Sequence, residues 1–158
     1  MTAPLPEEDV QSYPRPPALE RVPQEVAAWL GGVEIVRTRA AWRVLETHHA
    51  PTYYLPPAEI DADLRPAGGG SVCEWKGRAA YWDVGAGGVV AGRAAWSYPK
   101  PTARFAPIAG FVAIYARALD RATVGGLEVS PQPGGFYGGW VTPNLVGTVK
   151  GAPGTEGW

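Results

Sequence analysis

Glycine and proline limit most strongly what this chain can fold into. It holds 21 glycines and 17 prolines in 158 residues, roughly twice the usual combined share of about 12%. Proline fixes φ and removes a backbone donor, while glycine supplies turn conformations closed to other residues. Between these punctuation marks no long amphipathic helix fits, and no internal repeat is visible. The seven tryptophans and seven tyrosines argue against disorder and for short strands joined by tight turns.

A chain of this length suits one domain that buries roughly two-thirds of its unfolded surface. Its formal net charge is -1, with 14 basic and 15 acidic side chains. The basic residues are scattered, so neither nucleic acid nor an anionic membrane is expected as a partner. Cys73 is the single cysteine, which excludes an internal disulfide and a cysteine zinc site. The first residues show neither the basic nor the apolar region of a signal peptide. No apolar run reaches the length of a membrane span, and a cytoplasmic protein is expected.

Met1 to Pro23 carries six prolines and the acids Glu7, Glu8 and Asp9. It reads as an arm over residues 1–23, either free or docked, with Met1 to about Leu5 mobile. A β domain over residues 24–130 follows. Gln24 to Leu30 suggests one short helical turn. Strand patterns then cover Val33–Arg37, Trp42–Thr47 and Thr52–Leu55. Pro57 to Leu64 predicts a short helix, since proline suits a helix start and acids suit its positive end. Gly68–Gly70 reads as a flexible connector. Gly77–Arg78 reads as a hairpin link between Ser71–Lys76 and Ala79–Val84. Further strands are expected at Val89–Ala91, Ala94–Tyr98 and Phe111–Tyr115, with a last hairpin around Gly125–Gly126. Residues 131–158 form a Gly/Pro-rich segment whose aromatics need cover, predicting a strap packed on the β domain. About nine short strands in meander order suggest a small antiparallel, half-open barrel with at most short helices.

Val44–Thr47, Tyr53–Pro57, the block from Cys73 through Lys76, Gly77 and Ala79 to Tyr81–Trp82, and Ala95–Pro99 occur in fixed order. This ordered set, across about residues 33–129, resembles the domain-of-unknown-function family DUF427. The stretch Gly134–Pro143 resembles an extension found in some members. The resemblance implies an all-β domain of the β-tent kind, with no established activity, substrate or catalytic residue. Many β-tent proteins hold zinc with four cysteines, so that metal does not carry over. The family also bears a nucleotidyltransferase-like label. Polymerase-type transfer needs paired carboxylates for magnesium and a Gly-Ser turn. Here Asp61 and Asp63 precede Gly70–Ser71, the reverse of the usual order, and a two-residue spacing in a helix points them apart.

The remaining candidates are local. An ammonium near Cys73 would favour its thiolate, which makes Cys73 and Lys76 nucleophile candidates. Strand alternation, however, puts Cys73 and Trp75 on one face and Lys76 on the other; the bland reading is an inert packed cysteine. Glu46 shares a strand face with Trp42 and Val44 and is expected to point inward. There it needs a partner such as Lys76, Arg78 or a tyrosine hydroxyl, as a buried ion pair or as part of a pocket. His48 and His49 face opposite ways on an extended chain and read as exposed loop residues. Tyr54, Trp75, Tyr81, Trp82, Trp96 and Tyr98 lie on central strands, where they either fill the core or wall a pocket.

Three functions stay open. One is a small-molecule-binding domain, its cavity walled by Tyr54, Trp75, Trp82 and Trp96 with Glu46 and Lys76 at the polar end. Another is an enzyme using Cys73 or Lys76 as nucleophile. A third is a structural or interaction module. No metal or cofactor is called for, and the expected partner is a small molecule.

Overall fold

In a computed structural model of the chain, residues 5–73, 76–134 and 137–155 are described. The architecture is all-β, as the short turn-bounded runs predict. In chain order the strands are β1 (Glu8–Asp9), β2 (Ala18–Val22), β3 (Val26–Leu30), β4 (Val33–Thr38), β5 (Ala41–Leu45) and β6 (Thr52–Tyr54). The long central strands follow: β7 (Asp63–Cys73), β8 (Gly77–Ala86) and β9 (Val89–Ser97). Then come β10 (Val112–Ile114), β11 (Arg121–Val124), β12 (Leu127–Glu128), β13 (Ser130–Pro131), β14 (Trp140–Val141) and β15 (Leu145–Val146). Every helix among the described residues is a short 3-10 segment. None is long and apolar enough to cross a membrane.

Three antiparallel sheets carry the body, in the orders β10-β9-β8-β7, β12-β11-β3-β4 and β2-β5-β6. They do not close into a barrel. The chain after β6 meets β10 at Leu55 and Val112, whose N–H groups donate to each other's carbonyls at 2.8 and 2.9 Å. This bridge brings β5 and β6 alongside the central sheet.

Strand β6 and the second half of β9, Ala94–Ser97, are buried on both faces, so apolar and polar residues do not simply alternate there. Tyr53 and Ala95 enter a larger cluster with Val26, Ile35, Leu55, Val84 and Trp140. Their neighbours Tyr54 and Trp96 enter a second cluster with Val44, Tyr98, Phe105 and Ile108. The second cluster forms the floor of the site described below.

Four local expectations are corrected. Val26–Leu30 is a strand rather than a helical turn, because it lies between β4 and β11 and buries both faces. The helix expected over Pro57–Leu64 is only Pro57–Glu59; Asp61 N–H donates to Ile35 carbonyl and turns the chain into β7. Gly68–Gly70 is no connector but part of β7, where the register shifts between Pro66 and Gly70. Gly68 and Gly69 have φ of 68° and 72°, and glycine supports such a bulge. Gly77 and Arg78 belong to β8, with Cys73 opposite Gly77, so they are strand residues rather than the hairpin link.

The terminal segments dock. Val10 and Tyr13 pack with Leu45 and, from the other end of the chain, Leu145 and Val149. Strands β1 and β15 pair in parallel. Residues 1–4 lie outside the described set, and Leu5 packs against the core. Phe136 and Trp158 of the strap also lie outside it.

Candidate functional site

Strand alternation places Val44 in the second cluster, and Glu46 follows on the same side just beyond the end of β5. Its carboxylate faces an open cavity of about 360 Å³. Tyr54 from β6, Ser71 from β7, Tyr81 from β8 and Trp96 from β9 wall it, together with Tyr98. Lys76, Tyr115 and Arg117 reach it from the connections between strands, and His49 and Thr52 from the chain between β5 and β6. Tyr137, Gly138 and Gly139 of the strap complete the rim.

The rings form a connected lining. Trp96 and Tyr115 have centroids 4.5 Å apart, and Tyr54 and Tyr98 6.4 Å. Lys76 Nζ lies 5.8 Å from the Tyr98 centroid, and the Arg117 guanidinium 4.2 Å from that of Tyr115. Both cations therefore rest on ring faces. Ser71 and Tyr81 hydroxyls are hydrogen bonded at 2.8 Å. Burial raises the pKa of Tyr54, Tyr98 and Tyr115, so these phenols stay protonated and donate hydrogen bonds.

The strap fits closely here. A Cβ on Gly138 would stand 2.1 Å from the Trp96 ring, and one on Gly139 2.3 Å from Gln132 Oε1. Only a glycine pair lets this backbone lie on the cavity wall. Gln132, buried on the strap, accepts from Ala50 N–H through Oε1 at 3.1 Å. Its Nε2 donates to the Lys150 carbonyl at 2.9 Å and meets His49 Nδ1 at 3.3 Å. Those partners fix the amide orientation, so His49 Nδ1 is an acceptor. Burial lowers the His49 pKa, against the opposing pull of Glu46. The neutral ring therefore carries its proton on Nε2.

The residues singled out by sequence distribute unevenly. Glu46, Tyr54, Lys76, Tyr81, Trp96 and Tyr98 line the cavity. Trp82, one residue on from Tyr81, turns the other way: its indole N–H donates to Ser97 Oγ at 2.9 Å, and it packs on the larger cluster. Trp75 lies outside the described residues. Lys76 reaches the cavity because β7 ends at Cys73, so alternation no longer governs it. Glu46 and Lys76 make no ion pair among the described residues. Cys73 is half-buried against the second cluster. Arg78 is exposed on β8, beside a separate depression with Pro99 and Lys100. Asp61 and Asp63 are exposed, and the Asp63 carboxylate pairs with Arg65 at 2.7 Å. No group of three or more His, Cys, Asp or Glu is arranged for a metal among the described residues.

Sequence reasoning missed His49, Tyr115, Arg117 and Gln132. His49 reads as an exposed loop residue, yet it is half-buried and on the cavity wall. The Gly138–Gly139 pair between aromatics was the available signal that the strap approaches another surface closely.

The family profile for the domain of unknown function DUF427 matches residues 18–125, about two-thirds of the chain. The chain belongs to the DUF427 family. No curated protein matches it. The DUF427 match takes in the cavity residues from Glu46 to Arg117. It leaves out Tyr137, Gly138, Gly139 and Gln132, so part of the cavity rim comes from a segment beyond the matched residues.

Proposed function

We propose that the protein binds a flat small molecule bearing an acidic or carbonyl group in the cavity floored by Tyr54, Trp96 and Tyr98. The observation that carries this reading is an open volume of about 360 Å³, within the common range for ligand sites, whose wall combines tilted pairs of aromatic rings with separate charges that make no ion pair among the described residues. The rings desolvate a planar ligand face. Lys76 and Arg117 set two positive charges against one on Glu46, and His49 adds a neutral N–H donor, which together favour an anionic or carbonyl group. Glu46 is left to accept a hydrogen bond from a ligand hydroxyl or amine.

Of the two nucleophiles considered, only Lys76 is on the cavity wall. A binding role accounts for Glu46, Lys76 and the rings together without requiring a reaction.

Thermal-shift titration with aromatic carboxylates, beside Glu46→Gln and Trp96→Leu variants, tests the proposal. The wild type is expected to be stabilised saturably by at least one such compound, by about 2.7 kcal/mol at a hundredfold excess over Kd. Both variants are expected to lose most of that gain. Equal ligand-induced shifts in all three proteins, or none in the wild type across hydroxylated and unsubstituted compounds, would count against it.

A further inference from the structure

Behind His49 lies a second, smaller cleft of about 200 Å³, lined by Arg15, Thr47, His48, His49 and Lys150. Three distant parts of the chain build it: the N-terminal arm, the β5–β6 connection and the C-terminal strap. Among the described residues no carboxylate lines it. Neither Arg15 nor Lys150 makes an ion pair with any described residue, although the chain carries as many acids as bases to within one. We propose that this cleft is a binding site for a small oxyanion of the phosphate or sulfate class, held between the Arg15 guanidinium and the Lys150 ammonium.

The loop between these cations is pinned from both sides. Thr47 N–H donates to the Pro14 carbonyl at 3.3 Å, and Thr47 Oγ1 to the Tyr13 carbonyl at 2.5 Å. His48 N–H donates to the Val10 carbonyl at 2.9 Å, and the Lys150 N–H to the His48 carbonyl at 2.6 Å. These bonds set Arg15 on one flank and Lys150 on the other. His48 holds φ of 66°, a left-handed conformation uncommon for a residue with a side chain and costly enough to need support from its surroundings. The arm and the strap provide that support. Lys150 Nζ also lies 5.7 Å from the Tyr137 ring centroid, which keeps the ammonium near the loop rather than in solvent.

The chemistry selects an oxyanion over a cation or a neutral ligand. Two cationic side chains that make no ion pair with a described carboxylate offer charge-assisted donors, and guanidinium matches the geometry of tetrahedral oxyanions. Burial lowers the His49 pKa and Glu46 opposes that shift, while the positive charges of Lys150, Lys76 and Arg15 add to it; an anion between Arg15 and Lys150 would offset the last of these. His49 belongs to both cavities. The oxyanion is therefore either free or the acidic group of a ring-bearing ligand.

Inorganic phosphate, phenyl phosphate and phenol separate these sources when each is titrated at constant ionic strength, with chloride as the balancing anion. Wild type is compared with Arg15→Gln, Lys150→Gln and, as a control for general charge, Lys100→Gln. Saturable binding of inorganic phosphate, weakened at least fivefold by either cleft substitution and unchanged in Lys100→Gln, supports a free-anion site. Binding of phenyl phosphate alone, with the same pattern of loss, supports an oxyanion carried on a ring. Absence of binding by both phosphates in the wild type overturns the proposal, as does equal binding in all four proteins. Should a cleft variant unfold, ³¹P and proton line broadening on the wild type, mapped to His48 and His49 or elsewhere, decides the same question.

Discussion

Burying Arg43 is unfavourable unless its guanidinium is met by charge, and two carboxylates from different segments meet it. Arg43 Nη1 and Nη2 donate to the Glu8 carboxylate at 3.0 and 2.9 Å, and its Nε donates to Glu20 at 2.7 Å. Tyr13 also donates to Glu8. Burial alone would raise the Glu8 pKa, but the hydrogen bonds from Arg43 and Tyr13 and the nearby positive charge outweigh it, so the group sits below its ordinary value. A carboxyl lowered in the folded state contributes stability that is complete above its unfolded value of about 4.3, and this contribution fades as pH falls through the folded value. Glu8→Gln is therefore expected to cost about 1.5–3 kcal/mol near neutral pH, the range for a charged hydrogen bond, with Glu20 still pairing Arg43. The gap between wild type and variant should narrow steadily below about pH 4.3. Chemical denaturation at several pH values measures it, and a gap that stays constant down to pH 3 would show that Glu8 contributes no charge-dependent stability.

At the scale of elements, the strap controls the cavity through its glycine pair. Gly138→Ala places a methyl group against the Trp96 ring, which is fixed in the second cluster and has little room to move. The expected result is a loss of about 1–3 kcal/mol, the usual range for overpacking, together with a narrower cavity. Thermal melts and the binding titration described above read the two effects separately; a variant matching the wild type in both would show that the strap does not touch Trp96 in solution. The same element marks where sequence reading stops. The direction of side chains is legible along β5, β6 and the last residues of β9, which are regular beyond the bulge at Arg93, so Glu46, Tyr54 and Trp96 fall on a common side. Strand alternation says nothing once a strand ends: Lys76 follows the end of β7, and its direction is set by a turn. Nor does it reach His49, whose ring is oriented by Gln132, 83 residues away. A loop side chain takes its place from partners distant in sequence, and no local pattern encodes them. Arg43 shows the converse case, since its polar residue type suggests a solvent face while Glu8 and Glu20 make burial possible.

At the scale of the whole molecule, the two ends of the chain depend on each other. Strand β1 pairs with β15, Glu8 N–H donates to the Asn144 carbonyl at 2.9 Å, and Asn144 Nδ2 donates to the Pro6 carbonyl at 2.9 Å. Leu145 and Val149 also cover Val10 and Tyr13. Deleting residues 143–158 removes all of these contacts from the arm and takes Lys150 away from His48 and Gln132. Glu8 would keep Arg43, so the arm would retain one anchor but lose its strand pairing and its apolar cover. Losing the burial of two aliphatic side chains alone is worth roughly 3 kcal/mol at about 1.5 kcal/mol each. The truncated protein is therefore expected to melt several degrees lower and to be cut by a protease within residues 5–17 at concentrations that leave the full chain intact. The cut site is the informative measurement, because any truncation can lower a melting temperature, whereas cleavage far upstream arises only if the lost segment held the arm in place. A lower melting temperature with an arm still resistant to protease would place the arm's support in Arg43 and the core. An unchanged melting curve would mean that the strap beyond Thr142 is not docked.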